Sequence, residues 1–485
     1  NYNLTTGNLE SVVNALGHTY TMSEFDTQGR PTVITDANGL VTRLTYNFKH
    51  QITSQTIESE LGHLVTVYTY DPVGQLTQID TPNGSSIIYE YDDAHRMVGM
   101  SNNLGERIGY ELDAAGNVLS TQTFDGSNAL VRQHQQAYDE LSRLRETVGG
   151  THNQTTSIER DAAGNATTIT DPKSNPSVQG YDIHNRLTNI TDAAAGETTF
   201  TYNTNDQITT VTDPRGLVTS YEYNGHGDLT AIVSPDTNRT EFLHDDAGNV
   251  TQKTDARGVV TVYVYDALNR LTSITYPANA AENVTFGYDD TTDGNKGIGR
   301  VTSISTAVST LSYRYNNLGQ VTELNTELSG EVSNQHYGLK FGYNALSQLE
   351  QLQYPSGRLV NYLYDGQGRL SSVTTQDDDS AEAKTLVDNL AYLPFGPVKG
   401  FEFGNGITQT FQYDLDYRLT DITSSVQDWV YHYDLNSNIE EIIDLNTADN
   451  TQIFEYDALN RLTKATGNYG EYSYDYDGVG NRTER

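Results

Sequence analysis

Aspartate is the residue type best suited to chemistry in this sequence, and it recurs at one place. Asp71, Asp92, Asp182, Asp266 and Asp457 each follow a tyrosine. Paired carboxylates suit glycoside hydrolysis, one acting as acid and the other as nucleophile or base. A catalytic pair is singular, however, and these aspartates fill the same slot in unit after unit. That is how residues that close turns behave, so the reading is turn capping and no catalytic residue is assigned. Asp289, Asp290, Thr291, Thr292, Asp293 and Gly294 look like the first half of a calcium loop. An EF-hand loop needs a bidentate Glu at its twelfth position, where this sequence has Arg300, so a hairpin loop is expected instead. Asp377, Asp378 and Asp379 with Glu382 read as a solvated acidic insertion. His184 and His226 hold the same slot two repeats apart, roughly 19 Å at two strands per repeat, too far to share a metal. His50 and His95 stand where other units carry a turn glycine. Gly404-Asn405-Gly406 lacks the strand–helix setting of a nucleotide site and reads as a turn. Asn165 and Asn249 sit in Asn-x-Thr triplets that a Thr- and Asn-rich chain produces without any need for a glycan. No metal site and no cofactor are assigned.

The composition narrows the classes further. Lys plus Arg is 29 against 64 Asp plus Glu, a formal net charge of −35. Nucleic acid and anionic membrane surfaces would repel such a chain. With no cysteine, it has no disulfide, thiolate metal site or cysteine nucleophile. No apolar run approaches the roughly 18 residues of a membrane-spanning helix. The sequence opens at Asn1 without a signal-peptide pattern and reads as an internal piece of a longer protein. Only 35% of the residues are hydrophobic, yet there are 34 Tyr and 41 Gly. Disordered chains are poor in aromatics; Tyr and Thr on pleated strands with Gly at the turns fit half-exposed β-structure.

The elements that hold the aspartates come from a repeat. Tyr265-Asp266-Ala267-Leu268-Asn269-Arg270-Leu271 returns as Tyr456-Asp457-Ala458-Leu459-Asn460-Arg461-Leu462. The first residue of the motif, the anchor, falls at positions 2, 25, 46, 70, 91, 112, 138, 160, 181, 202, 223, 244, 265, 288, 315, 343, 364, 392, 413, 433, 456 and 476. Ten of the 21 gaps are 21 residues long. The fourth residue after the anchor is Gly at ten of these places, Gly74, Gly248 and Gly368 among them, and Asn at Asn185, Asn269 and Asn460. These residues accept a positive φ at little cost. A second turn follows about ten residues on, as at Asp213-Pro214-Arg215-Gly216 and Tyr354-Pro355-Ser356-Gly357. Each unit is therefore two strands and two turns. Most anchors are Tyr, and a second aromatic commonly stands two residues earlier, as Tyr221 does before Tyr223. Residues two apart in a strand share a face, so the rings are expected on one face, the concave one, aligned into ladders between repeats. Aliphatics sit six and nine residues past the anchor, Leu229 and Ile232 for example. A spacing of three puts them on opposite faces unless a bulge intervenes.

About 44 strands at roughly 4.8 Å make a sheet of about 210 Å, too long to stay flat given the twist of strands. The expected fold is all-β, one long antiparallel sheet over residues 1–485 that coils on itself. Residues 1–287 form a regular block and 288–485 a block with longer loops. The gaps 288–315, 315–343 and 364–392 exceed the period by 6 to 7 residues and are expected to protrude as loops. Ser380 to Leu390 reads as one short helix, Arg132 to Val148 as strands with a loop, and Trp429 as half-buried packing. Removing one 21-residue repeat, such as 203–223, is expected to be tolerated.

The motif Tyr-Asp-x-x-Gly-Arg-Leu at this period resembles the YD repeats of the RHS family over essentially the whole chain. Gly287-Tyr288-Asp289-Asp290 leading to Gly297-Ile298-Gly299-Arg300-Val301, the Tyr392-Leu393-Pro394-Phe395-Gly396-Pro397 segment, and Gly404-Asn405-Gly406-Ile407 are similar to the family as well. The family includes bacterial polymorphic toxins, insecticidal toxin-complex shells and the teneurins. The resemblance implies a sheet spiralling into a hollow, barrel-like shell that is not an enzyme. It implies as partner a toxin or cargo domain downstream, or a secretion partner, and a secreted, cell-surface or secretion-system setting. The Pro-rich self-cleaving core motif of the toxins is not found in these 485 residues, so no catalytic residue carries over. The alternative is an extracellular module whose Tyr rows meet carbohydrate or a cell surface.

Overall fold

The computed structural model describes residues 1–329 and 335–484. Forty-two strands make one antiparallel sheet, and Asp475–Tyr476 with Arg482–Glu484 make a second, two-stranded one. Helical structure among the described residues is limited to three short 3-10 turns: Ala280–Glu282, Thr292–Gly294 and Ala448–Asn450. Wherever pairing is described in the large sheet, each strand pairs with its neighbour in the chain. Every link is thus a hairpin, as the two-turn repeat requires.

The ladder across the first turn contains a bulge in almost every repeat. Tyr221 lies opposite Ile232, Glu222 opposite Ala231, and Tyr223 opposite Leu229, with the register shifting between the last two pairs. Thr230 is the extra residue. The same shift separates Tyr263–Ile274 from Tyr265–Leu271 and Tyr362–Val373 from Tyr364–Leu370. A bulge turns a spacing of three into a shared face. The aliphatics at plus six and plus nine therefore lie beside the anchor and its minus-two aromatic, and Tyr221 and Tyr223 share a face with Leu229 and Ile232.

Among the described residues, the expected ring ladders between repeats are not formed. The described ring contacts are Tyr313–Tyr315 and Phe401–Phe403 within single strands, Tyr469–Tyr472 around a turn, and Phe401–Phe411 between neighbouring strands. None joins two anchors. Equivalent residues of successive repeats are two strands apart, roughly 9.6 Å, beyond ring contact. An aliphatic strand lies between each pair of aromatic ones.

Both turns take the backbone form that the Gly and Asn residues suggest. Gly74, Gly248 and Gly368 have φ of 106°, 83° and 77°, Asn185 and Asn269 of 62° and 58°. His50 and His95 fill the same slot at φ 67° and 63°, and even Tyr417 does so at 61°. Arg132 to Val148 is strand, turn and strand, with Leu130–Tyr138 paired to Leu144–Gly149. Trp429 is half-buried, opposite Ile422.

The long gaps correct two expectations. Ser380 to Leu390 is not helical. Lys384–Tyr392 is a nine-residue strand whose Val387 and Thr385 pair with Val373 and Thr374, so the insertion splits between a 377–383 loop and lengthened strands. Strand residues with a free edge beside them gain backbone hydrogen bonds that an isolated helical turn lacks. In the second gap, Val321–Leu328 and Gln335–Tyr343 also lengthen, forming six pairs from Glu323–Lys340 to Leu328–Gln335. Residues 330–334 between them lie outside the described residues. The third insertion, 289–300, folds back instead of protruding. Asn295 is 3% exposed, accepts from the Tyr315 backbone N–H at 2.8 Å and donates to the Tyr313 carbonyl at 3.2 Å.

The chain divides into two compact units. Asn1–Ile88 with Thr240–Val387 makes the first, and Tyr89–Arg239 with Asp388–Arg485 the second. Each unit thus combines segments far apart in sequence, and turns join them. In the first, Asn38 Nδ2 donates to the Ile298 carbonyl and Asn38 Oδ1 accepts from the Ile298 N–H, both at 3.0 Å. In the second, Asp416 Oδ1 accepts from the Gly150 N–H at 2.8 Å. In each, a second turn meets the first turn of the repeat twelve anchors later.

Two outcomes follow from this architecture. Gly248→Val forces a β-branched residue to φ 83° and is expected to cost about 1–3 kcal/mol. Asp246→Ala, in the same turn, should cost clearly less, which urea melts of the two variants would show. Deleting 203–223 closes the ladder but moves Asp416 one repeat away from Gly150. Against the sequence-based expectation, that variant should keep its β circular dichroism yet melt below the parent.

Candidate functional site

The recurring constellation is one clamp used again and again. In the Tyr265 unit, Asp266 Oδ1 accepts from the Leu268 and Arg270 N–H groups at 2.8 and 3.0 Å. Its Oδ2 accepts from Arg270 Nε at 2.6 Å. The same three bonds hold Asp457 to Leu459 and Arg461 and Asp182 to His184 and Arg186. At Asp71 the donors are the N–H groups of Gly74 and Gln75. The Arg96 backbone N–H, and then its guanidinium, hold the Asp92 carboxyl below the usual carboxylate range. Such a group is ionised and fully engaged at neutral pH, which suits a turn clasp and not a general acid.

The arginine then reaches the next repeat. Arg270 lies over the Tyr288 ring at 4.3 Å, Arg186 over Tyr202 at 4.8 Å and Arg461 over Tyr476 at 4.8 Å. Guanidinium–ring contact of this kind is favourable, and it covers ring faces that could otherwise meet a ligand. Asn165 and Asn249 take the arginine's place, bonding Asp161 and Asp245 and reaching Asn185 and Asn269 in the next repeat. The two sequon side chains are thus turn clamps.

The anchor hydroxyl makes the second link. Across the second turn the ladder carries three pairs, Thr210–Ser220 to Thr212–Val218, and stops. Ile208 lies beyond the last pair, and Tyr223 Oη donates to its carbonyl at 3.0 Å. Tyr202 does the same to Leu187 at 2.7 Å, Tyr265 to Val250 at 3.1 Å and Tyr433 to Leu419 at 2.7 Å. Burial raises the pKa of Tyr343 and Tyr413, which keeps both as hydroxyl donors. The link explains why the anchor is Tyr where the minus-two slot accepts Phe200, Phe411 or Phe454.

The other flagged residues do not converge. Asp289 is bound by Arg270 at 2.6 and 3.0 Å and by the Gly299 N–H at 2.6 Å, while Asp290 accepts from Thr292. Asp377 pairs with Arg358 at 2.8 Å, and Asp378 accepts from Ser380. Among the described residues, no group of three or more His, Asp or Glu is placed to hold a metal. Sequence reasoning missed the arginine's double role. The signal was present, since Arg270, Arg369 and Arg461 all stand five residues past an anchor.

The comparisons agree with this geometry. The family model of the teneurin YD-shell matches residues 1–212 and 404–484, and that of the RHS repeat matches 202–239 and 244–281. No curated protein matches the sequence. Two similar solved structures are toxin-complex proteins. The first is TcdB2–TccC3 without its hypervariable C-terminal region, at TM-score 0.78 and 14% identity over 98% of this chain. The second is the Photorhabdus luminescens Tc holotoxin pore with a TccC3 mutation, at TM-score 0.79 and 14% identity over 99%. The chain spans 33% of the length of each. At that identity the likeness shows the fold.

Tyr265→Phe removes the hydroxyl that serves the Val250 carbonyl and should destabilise by about 0.5–1.5 kcal/mol. Tyr263→Phe, in a slot where Phe occurs naturally, should be near neutral. Equal shifts in the two urea midpoints would refute the link.

Proposed function

We propose that this chain, which belongs to the teneurin YD-shell family, is a non-catalytic wall that encloses or shields another polypeptide, a toxin or cargo domain, in a secreted or cell-surface setting. The observation that carries the reading is how the recurring polar residues are spent. Tyr, Asp and Arg of the motif bind neighbouring turns and carbonyls, and the sheet has almost no core of its own. The buried apolar residues described are Val33, Leu64, Ala231, Leu359 and Ala465. A chain of 485 residues ordinarily buries far more. A single layer with two accessible faces suits a partition between two compartments better than a packed enzyme. The likeness to TcdB2–TccC3 and to the Tc holotoxin pore supports the same role. Exclusion is the mechanism: backbone pairing closes the layer to a protease or an outside partner.

Limited proteolysis of the natural polypeptide that contains these residues tests the reading. A non-repeat segment of that polypeptide should resist protease while the sheet is folded and be cut once denaturant melts it. If each non-repeat segment is cut as fast in the folded protein as when expressed alone, the wall shields nothing.

A further inference from the structure

The joints within the two units use the same repeat spacing but different chemistry. In each, a second turn of one segment meets the first turn of the repeat twelve anchors later. Turns are where this sheet keeps its Asp and Asn residues, so the joints are polar, whereas the ladders are held by backbone. The first joint rests on amides. Asn38 exchanges two bonds with Ile298, and Asn317 Oδ1 accepts from the Glu60 N–H while Nδ2 reaches the Glu58 carbonyl. Its ionic contacts are longer: Lys296–Glu60 at 3.7 Å and His18–Asp289 at 3.5 Å.

The second joint rests on carboxylates, beside one backbone bond from the Gln133 N–H to the Leu415 carbonyl at 2.9 Å. Asp416 receives the Gly150 N–H at 2.8 Å, the Thr151 N–H at 3.1 Å and Gln154 Nε2 at 2.6 Å. Asp434 Oδ2 pairs with Lys173 Nζ at 2.9 Å and is 3% exposed. Asp171 accepts from Asn436 Nδ2 at 2.5 Å, and Asp477 stands 3.4 Å from Arg215. The segments approach so closely that a Cβ on Gly150 would lie 2.7 Å from the Gln133 carbonyl and 2.9 Å from Leu415 Cβ. Three donors on one carboxylate, two of them backbone N–H groups, make a charge-assisted bond set that an uncharged acid, with a proton on one oxygen, holds more weakly.

We infer that the joint in Tyr89–Arg239 and Asp388–Arg485 is a carboxylate clasp centred on Asp416, built to open by protonation while the joint in Asn1–Ile88 and Thr240–Val387 stays closed. The charged and titratable groups around Asp416 are Arg418 at 3.9 Å, Asp414 bound to Arg418 at 2.7 Å, and His134 and Asp171, which line the same groove. Burial opposes ionisation of Asp416, and the bonds from Gly150, Gln154 and Thr151 outweigh it, so its pKa is lowered. Burial likewise opposes ionisation of Asp434 and Asp171, and Lys173 and the neighbouring asparagines prevail. A depressed carboxylate contributes stability above its unfolded pKa and loses it as pH falls through the folded value. The clasp is thus full at neutral pH, begins to weaken only below the ordinary carboxylate range of about pH 4, and is released as the pH falls further through the depressed folded values. Asn38 and Asn317, which bridge the segments of the first joint, have no proton to gain in that range, and the carboxylates beside them, Asp36 and Asp289, accept backbone N–H groups of their own segments. Opening needs no cargo and leaves the ladders paired.

Hydrogen exchange read by mass spectrometry on the intact chain tests the clasp, with rates corrected for the intrinsic effect of pH. On acidification, protection at Gly150 and Thr151 should fall about tenfold or more, while the Ile298 amide and the 208–212 ladder keep theirs. Asp416→Asn should give the same loss at neutral pH with circular dichroism unchanged. Gly150→Ala, which wedges the segments apart without touching charge, should open the joint at every pH and abolish its pH response. The inference is overturned if Ile298 loses protection together with Gly150, if Asp416→Asn leaves Gly150 protected, or if the ladder melts at the pH that frees the joint.

Discussion

A carbonyl beyond the end of a ladder needs a donor, and much of this structure follows from how that need is met. In the regular repeats the strands on either side of the second turn pair three times and then part, as at Thr210–Ser220 to Thr212–Val218. The carbonyl six residues past each anchor would be left without a partner, a penalty comparable to a lost hydrogen bond. Arg160 serves Leu144, and the Tyr138 and Tyr181 hydroxyls donate to Gln136 and Gln179, but in many repeats the tyrosine of the following repeat brings its hydroxyl there, as Tyr223 does for Ile208. One residue therefore does two things: its ring packs beside Leu229 and its hydroxyl fastens the repeat before it. The bulge at Thr230 makes this work, because it brings Leu229 and Ile232 to the face that holds Tyr221 and Tyr223.

The same bond pattern explains how the chain stays folded with so small a core. Each repeat is fixed to the next by a backbone ladder, and many repeats add a tyrosine hydroxyl or a side chain five past the anchor, Arg270 or Asn249 for example; no single link is strong. Arrays of this kind draw their stability from nearest neighbours. Contacts between distant segments are a separate matter. The described ones lie mostly turn against turn and are mostly polar, made of amides and carboxylates with the Gln133 N–H to Leu415 carbonyl bond and Arg132 over the Tyr417 ring beside them. Such contacts are weaker against water than the ladders are, and they respond to charge.

The carboxylates that looked capable of catalysis have been spent on architecture. Asp182, Asp266 and Asp457 are each enclosed by three donors, and their arginines lie over the ring of the next anchor. A side chain so committed carries no proton to give at neutral pH. What the chain presents in their place is continuous backbone pairing over 42 strands, which fits the work of a partition.

The sequence by itself determined the unit. Spacing of Tyr, Asp, Gly and Leu revealed the repeat, the two turns, the positive-φ slots at Gly248 and Asn269, and the all-β class, because those are local requirements of a hairpin. It could not decide whether residues three apart share a face, since a bulge leaves no fixed residue type behind. It misjudged Ser380 to Leu390, where an edge to pair with outweighed a weak helical tendency, and it expected ring ladders that a two-strand separation forbids. The partners of Asn38 and Asp416 were out of its reach altogether. Those partners lie 260 and 266 residues away in sequence, a distance over which no local rule of the hairpin acts, and only the tertiary structure brings them together.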